Sequence, residues 1–120
     1  MTAGRIKQEL HGRVACRGAA QGKVVVIKTY DDLSSVQAGM VLVAAQTDVN
    51  YTPYMRQCCA VITEEGGRFC HAAIFARENS VPCITGVNKA LETMRNGDFV
   101  EVDANNGIIY VLAKSDDERA

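Results

Sequence analysis

Residues 60–77 read AVITEEGGRFCHAAIFAR, and this stretch carries the strongest structural signal in the chain. The short apolar run at 60–63 predicts a strand that ends just before the double glycine Gly66-Gly67. His71 then stands where an alanine-rich helix over residues 71–78 is expected to begin. The first turn of a helix offers unpaired N–H groups and the positive end of the helix dipole. The pattern therefore places a histidine at a strand–helix junction that suits an anion.

Phosphoryl transfer through histidine is the chemistry that this junction favours. The attacking imidazole nitrogen must be unprotonated, exposed and held in one tautomer. An unperturbed imidazole, with a pKa of about 6.5, is largely neutral near pH 7. We expect backbone N–H groups at Gly66, Gly67 and the helix start to hold the phosphoryl oxygens. Arg68 can add a positive charge, and Cys70 is small enough to leave the approach open.

Simpler interpretations of the same residues stay open. A double glycine before a helix is often a plain left-handed turn, and a histidine at a helix start is often an ordinary surface residue. His11 has no motif around it and is expected at the surface. Arg77 is expected to form a structural ion pair. Glu64 and Glu65 are expected to be solvated or to cap a helix.

Length and composition predict a single domain, with a core over about residues 12–112 and polar termini. The 120 residues are 48% hydrophobic and 22% charged, as in an ordinary globular protein. A formal net charge of −1 argues against nucleic-acid or membrane-surface binding. No apolar run is long enough to span a bilayer, and the polar start does not resemble a signal peptide. The expected location is the cytoplasm.

The chain has five cysteines, which without a secretion signal are expected to be reduced thiols, several of them buried. A metal cluster would have to draw on Cys58, Cys59, Cys70, His71 and Cys83. Their spacing matches no zinc pattern, and no metal site is predicted.

Strands dominate the remaining pattern, with short helices between them, so the predicted class is α/β with helices packed on the sheets. Strands are predicted at residues 13–16, 22–28, 40–45, 60–63, 82–85, 99–103 and 108–112. We expect the first two to pair across a turn at 18–21. Besides the helix at 71–78, helices are predicted at 31–36, at 53–58 after a Thr52 cap, and at 89–94 after an Asn88 cap.

The central motif resembles the phosphohistidine segment of the phosphoenolpyruvate-utilising enzymes. This family includes pyruvate phosphate dikinase, phosphoenolpyruvate synthase and Enzyme I of the sugar phosphotransferase system. The resemblance rests on TEEGG, CHAAI and AR between residues 63 and 77, and it extends over about residues 12–112. Its further pieces are GAAQGKV at 18–24, MVLVAA at 40–45, Thr47, TPYM at 52–55, SVPCITG at 80–86, Gly97-Asp98, Val102-Asp103 and Gly107.

The resemblance implies the swivelling β/β/α fold of that family's mobile domain and a role as phosphocarrier. His71 matches the phosphorylated histidine, and Thr52 falls where a hydroxyl faces it. The implied partners are an ATP-binding domain or subunit, absent from the Enzyme I reaction, and a barrel that binds phosphoenolpyruvate or pyruvate. Mg²⁺ and ATP or phosphoenolpyruvate are expected on those partners, and no cofactor is expected on this domain.

The sequence departs from the family pattern next to the histidine. Phe69-Cys70 stand where the family usually has Thr-Ser, so two possible hydroxyl contacts to phosphate are lost. Val49 stands where many members have proline. A non-catalytic regulatory or binding module of the same fold is therefore the alternative, and a redox or metal-binding protein is a third, weaker one. Because 120 residues leave no room for the partner domains, the chain is expected to be a separate carrier subunit or an excised domain.

Overall fold

The computed structural model describes residues 6–115, which form eight strands, three short α-helices and two 3-10 turns. The strands are β1 (Gln8–His11), β2 (Arg13–Cys16), β3 (Ala19–Ile27), β4 (Val41–Ala44), β5 (Ala60–Thr63), β6 (Cys83–Thr85), β7 (Phe99–Asp103) and β8 (Ile108–Ala113). The helices are α1 (Thr52–Met55), α2 (His71–Asn79) and α3 (Ala90–Thr93). The 3-10 turns are Tyr30–Ser35 and Val49–Tyr51.

Strand β3 joins two halves of one sheet, whose order is β1-β8-β7-β3-β4-β5-β6-β2. Its first part, residues 19–23, pairs antiparallel with β7. Its second part, residues 24–27, pairs parallel with β4. The β4–β5 and β5–β6 pairs are also parallel, and β2 closes that half antiparallel to β6. The molecule thus has an antiparallel half and a largely parallel half that share one long strand.

Two hydrophobic cores lie on opposite faces of the parallel half. Successive side chains of a strand point to opposite faces, so Val24 and Val26 enter one core while Val25 and Ile27 enter the other. The first core draws on strands of both halves and on α3. The second lies between the parallel half and the helices α1 and α2. The fold is therefore the three-layer β/β/α arrangement that the family resemblance implies.

The predicted pairing of residues 13–16 with the following strand is wrong. Strand β2 pairs with β6, with Arg13 opposite Thr85 and Val14 opposite Ile84. The expected turn at 18–21 is instead the start of β3, since residues from Ala19 onward pair with β7. No hairpin forms at this point, since β2 pairs with the distant β6 and only Arg17 and Gly18 separate β2 from β3.

Smaller differences concern element ends. Strand β1 is not predicted, because its sequence QELH is polar and Leu10 is its one buried residue. The helix expected at 53–58 is the single turn Thr52–Met55, capped by Tyr51 rather than Thr52. The helix expected at 89–94 is Ala90–Thr93, with Lys89 rather than Asn88 at its N-cap. Residues 31–36 are expected to be helical and form most of a 3-10 turn.

The parallel strands β3, β4 and β5 end at the same edge of the sheet. The chain leaves them into residues 28–40, 45–51 and 64–70, and these segments therefore run side by side. In α/β sheets the carboxyl edge of parallel strands is the usual place for a binding site. Within residues 6–115 there is no helix long and apolar enough to cross a bilayer.

Candidate functional site

His71 is the first residue of α2, and a threonine hydroxyl faces each of its ring nitrogens. Thr47 Oγ1 lies 2.8 Å from Nδ1, and Thr52 Oγ1 lies 3.5 Å from Nε2. The ring of Phe75, one helical turn later, stacks on the imidazole with centroids 6.5 Å apart. Thr47 is buried whereas His71 is half-buried. The ring is held tightly at Nδ1 and loosely at Nε2, where the contact is at the outer limit of a hydrogen bond.

The strand ends explain how these residues meet. Thr47 follows β4, Thr52 opens α1, and His71 follows β5 after a seven-residue loop. The ladder between the two strands continues past their ends, since the N–H of Glu64 donates to the carbonyl of Ala44 at 3.1 Å. This continuation brings the loop before α2 against the segment that carries the threonines.

Gly66 and Gly67 do not form a left-handed turn, since neither is among the described residues with positive φ. A Cβ on Gly66 would lie 2.9 Å from the Cα of Gly86, so this position is glycine because two loops pack closely. Gly67 is not crowded, and its carbonyl accepts a hydrogen bond from the N–H of Cys70 at 3.2 Å. The double glycine thus forms a close backbone contact and a tight turn into α2.

The start of α2 has features that suit an anion. Its N-cap, Cys70, is extended, and its side chain makes no capping hydrogen bond to the first turn. No acidic residue lies in that first turn. The first-turn N–H groups therefore lack a side-chain acceptor in the described chain, and the dipole at that end is positive.

Arg68 lies on a different side of α2 from the imidazole. Its guanidinium carbon is 5.9 Å from the centre of the exposed Phe69 ring. It also lines a cavity of about 340 Å³ together with Arg13, Ala73 and Arg77. Because residues two apart on a helix point away from each other, the Ala73 side faces away from His71. Within residues 6–115 there is no hydrogen bond between Arg68 and the imidazole.

The other charged residues near the motif make structural contacts. Arg77 donates through Nη2 to the carbonyl of Arg68 at 2.8 Å, so the ion pair predicted for it is wrong for the described chain. Glu64 Oε2 accepts a hydrogen bond from the N–H of Leu91 at 2.9 Å, which confirms a capping role, here at α3. His11 is exposed on β1, as predicted, and lies 3.4 Å from Glu9.

From the sequence, Thr47 is known only as part of the family resemblance and has no assigned role, and the network behind Thr47 is missed altogether. Asp48 accepts hydrogen bonds from the Tyr30 hydroxyl at 2.5 Å and from the N–H of Asn50 at 2.8 Å. The Tyr30 bond is the main cause that lowers the pKa of Asp48 below its ordinary value, and a protonated His71 nearby acts in the same direction. The available signal was the pair Thr-Asp, separated by two residues from the end of the buried strand β4, since these residue types are typical of turns and caps.

The five cysteines are free thiols. Burial raises the pKa of both Cys58 and Cys83 to about 12. In the described part of the chain, no three His, Cys, Asp or Glu side chains are grouped to hold a metal ion.

Comparison with known families gives a direct match. The family described as "PEP-utilising enzyme, mobile domain" matches residues 36–107. The chain belongs to this family. The phosphoenolpyruvate synthase of Neisseria meningitidis serogroup B is 42% identical over 102 residues, which are 82% of this chain and 13% of that protein. The probable phosphoenolpyruvate synthase of Methanothermobacter thermautotrophicus is 37% identical over 99 residues, which are 82% of this chain and 14% of that protein.

Solved structures of other proteins have a similar fold. A solution structure of Enzyme I matches with a TM-score of 0.57 and 31% identity, over 66% of this chain and 33% of that one. Aconitase X from Thermococcus kodakaraensis has a TM-score of 0.66 over 88% of this chain and 98% of that one, and at 21% identity it shows the fold alone. This mobile domain spans 13–14% of the length of the two synthases above.

Proposed function

We propose that this chain is a phosphocarrier that accepts a phosphoryl group on His71 and passes it between two active sites on partner domains or subunits. The observation that carries the proposal is the unequal hold on the imidazole. Nδ1 lies 2.8 Å from a buried threonine hydroxyl, whereas Nε2 has a contact of 3.5 Å. A ring held by Nδ1 with Nε2 available is the arrangement that a histidine nucleophile needs.

The geometry supports different roles for the two nitrogens. With the proton on Nδ1 donated to Thr47 Oγ1, the lone pair on Nε2 is free to attack. A bond from Nε2 to phosphorus forms as the bond from phosphorus to the donor's leaving oxygen breaks, and the ring takes up positive charge. Thr47 stabilises that charge by accepting the Nδ1 proton in a hydrogen bond. In the reverse direction the acceptor's oxygen attacks phosphorus, and Nε2 recovers its lone pair.

The oxygens of the carried phosphoryl group are expected to lie at the start of α2. The first-turn N–H groups and the backbone of Gly66 and Gly67 are the candidate donors, with the small Cys70 at the N-cap. The hydroxyl of Thr52 is close enough to Nε2 to donate to a phosphoryl oxygen. Arg68 would contribute only after its side chain leaves Phe69 and turns toward the site.

The donor and acceptor sites are proposed to lie outside this domain. The name of the relatives, phosphoenolpyruvate synthase, supports phosphoenolpyruvate at one site. Pyruvate at that site and ATP at the other are what the family resemblance implies. We propose an ATP-binding domain or subunit and a phosphoenolpyruvate-binding barrel as partners, with Mg²⁺ bound there. The chain alone then carries the phosphoryl group but does not complete a catalytic cycle.

Phosphorylation of the chain tests the proposal. The chain is incubated with its cognate partner and labelled ATP or phosphoenolpyruvate, and we expect an acid-labile, alkali-stable phosphate on His71. His71→Ala should abolish the label, and His11→Ala, which changes an exposed histidine, should keep it. No label in the wild type, or equal label in His71→Ala, would refute the carrier role. Partner binding that persists in His71→Ala without any label would favour the non-catalytic module.

A further inference from the structure

Tyr30 and Asp48 are joined by a hydrogen bond directly behind the candidate site. The Tyr30 hydroxyl donates to Asp48 Oδ2 at 2.5 Å, and Asp48 Oδ1 accepts from the N–H of Asn50 at 2.8 Å. Asp48 is the next residue after Thr47, whose hydroxyl faces Nδ1 of His71. One peptide unit therefore separates the anchored carboxylate from the threonine that holds the imidazole.

Tyr30 belongs to a turn whose backbone is fixed by hydrogen bonds. It begins the 3-10 turn that follows β3, and that turn is closed by Asp32, whose Oδ2 accepts from the N–H groups of Lys28 at 2.8 Å and Thr29 at 3.1 Å. Leu33 of the same turn is buried in the core beneath the helices. The backbone of Tyr30 is therefore held in a hydrogen-bonded turn at the end of β3.

The far end of the segment is held as well. The carbonyl of Asp48 accepts a hydrogen bond from the N–H of Tyr51 at 2.9 Å. The ring of Tyr51 is buried and meets the ring of Tyr30 edge-on, with centroids 6.0 Å apart and planes at 68°. Thr52 follows Tyr51 directly. Tyr30 thus contacts both Asp48 and Tyr51, and each of these two residues is the chain neighbour of one of the threonines that face His71.

We propose that Tyr30 and Asp48 are positioning residues for His71, because they hold residues 47–52 so that Thr47 engages Nδ1 and the proton stays on that nitrogen. The consequence for phosphoryl transfer rests on the proposed carrier function, but the tautomer is a property of the unmodified chain. The Asp48 carboxylate already accepts hydrogen bonds from Tyr30 and Asn50. These bonds offset part of its negative charge, which weakens its repulsion of an incoming phosphoryl group.

The ¹⁵N chemical shifts of the His71 ring nitrogens show which nitrogen carries the proton, so they test this proposal directly. The full chain is labelled with ¹⁵N, and its two histidines are observed by NMR at about pH 8.5, where imidazole is neutral. We expect a single His71 tautomer with the proton on Nδ1, whereas the exposed His11, whose Nε2 faces Glu9, should carry its proton chiefly on Nε2. In Tyr30→Phe and Asp48→Ala, the His71 ring shifts should move toward those of His11. Tyr110→Phe, a tyrosine on β8, is the matched control and should change nothing.

Asp48→Asn separates geometry from charge. Its side-chain oxygen still accepts one hydrogen bond, so most of the wild-type tautomer should be kept, whereas Asp48→Ala loses it. Unchanged backbone amide shifts in β4, β5 and β7 confirm that the variants are folded. Tyr30→Phe removes one hydroxyl from a residue that is 56% exposed, so its fold should be intact.

The second measurement is the initial rate of phosphorylation by the cognate partner. We expect Tyr30→Phe to lose roughly tenfold, because a misplaced reacting group lowers the rate without any loss of contact to substrate. If both Tyr30→Phe and Asp48→Ala are folded and keep the wild-type His71 ring shifts, the positioning role is refuted. If the shifts respond but the wild type accepts no phosphate, the positioning role stands and the carrier function fails.

Discussion

Gly66 and Gly86 approach each other so closely that a Cβ on Gly66 would lie 2.9 Å from the Cα of Gly86. The loop before α2 and the loop after β6 meet at this contact, and the N–H of Gly86 donates to the carbonyl of Glu65 at 3.0 Å. The contact therefore holds the first residues of the loop before α2 against the loop that follows β6. This close packing explains why residue 66 is glycine, whereas the sequence motif assigned Gly66 to phosphate binding.

Gly66→Ala is expected to destabilise the chain by about 1–3 kcal/mol, because the new methyl group has to displace backbone rather than a flexible side chain. The measurement is the free energy of unfolding in urea. Gly67→Ala is the matched control and should cost less, because its Cβ would meet Cys70 only at 3.9 Å. Equal losses in the two variants would contradict the packing explanation.

Thr47→Val is expected to slow phosphorylation of His71 by roughly ten- to a hundredfold. Valine has the shape of threonine but leaves Nδ1 without its partner, and an unsatisfied group of this kind costs about 1–3 kcal/mol. Thr47→Ser keeps the hydroxyl and should restore most of the rate. Thr52→Val should lose less, because the Thr52 contact is 3.5 Å long. A larger loss in Thr52→Val than in Thr47→Val would reverse the roles assigned to the two nitrogens.

Asp98 is expected to make stability fall in acid. Burial acts to raise the pKa of Asp98, but hydrogen bonds from Lys114 Nζ at 2.7 Å and from the N–H groups of Arg95 and Ser115 outweigh burial and lower it. A group whose pKa is lower when folded adds stability above its unfolded pKa of about 3.9, and that stability is lost as the pH falls through the folded value.

Asp98→Asn should therefore cost about 2–4 kcal/mol near pH 7 and flatten the acid limb of the stability curve. The check is urea unfolding from about pH 7 down to pH 3. Asp103→Asn is the comparison, since Asp103 bonds chiefly to the exposed Asn105 and Asn106 and should cost less. If the stability of Asp98→Asn still falls steeply in acid, a group other than Asp98 causes the fall.

Cys58 and Cys83 are expected to resist thiol reagents in the native state. Both are buried, and burial raises their pKa to about 12, so little thiolate exists near pH 8. Mass spectrometry after iodoacetamide treatment should find modification first among Cys16, Cys59 and Cys70. Denaturant should make all five cysteines reactive. Early modification of Cys83 in the folded chain would contradict its placement.

The sequence pattern correctly predicted those strands and helices whose conformation depends mainly on their own side chains. The β-branched runs at Ala60–Thr63 and Phe99–Asp103 form strands with those bounds. The alanine-rich run after Cys70 forms α2 and ends one residue beyond the prediction. These segments agree because side-chain shape and periodicity favour one backbone conformation wherever the segment lies. The family motif works for the same reason, since its residues are neighbours in the chain.

Pairings and distant contacts were decided by the tertiary structure. Strand β2 pairs with the distant β6, with Arg13 opposite Thr85, rather than with its chain neighbour β3. Glu64 caps a helix start 27 residues later. The sequence by itself placed His71 at the beginning of a helix after a strand. Only the parallel alignment of β4 with β5 brought Thr47 and Thr52 to its two ring nitrogens, because hydrogen bonds between strands, not chain neighbours, set which loops meet.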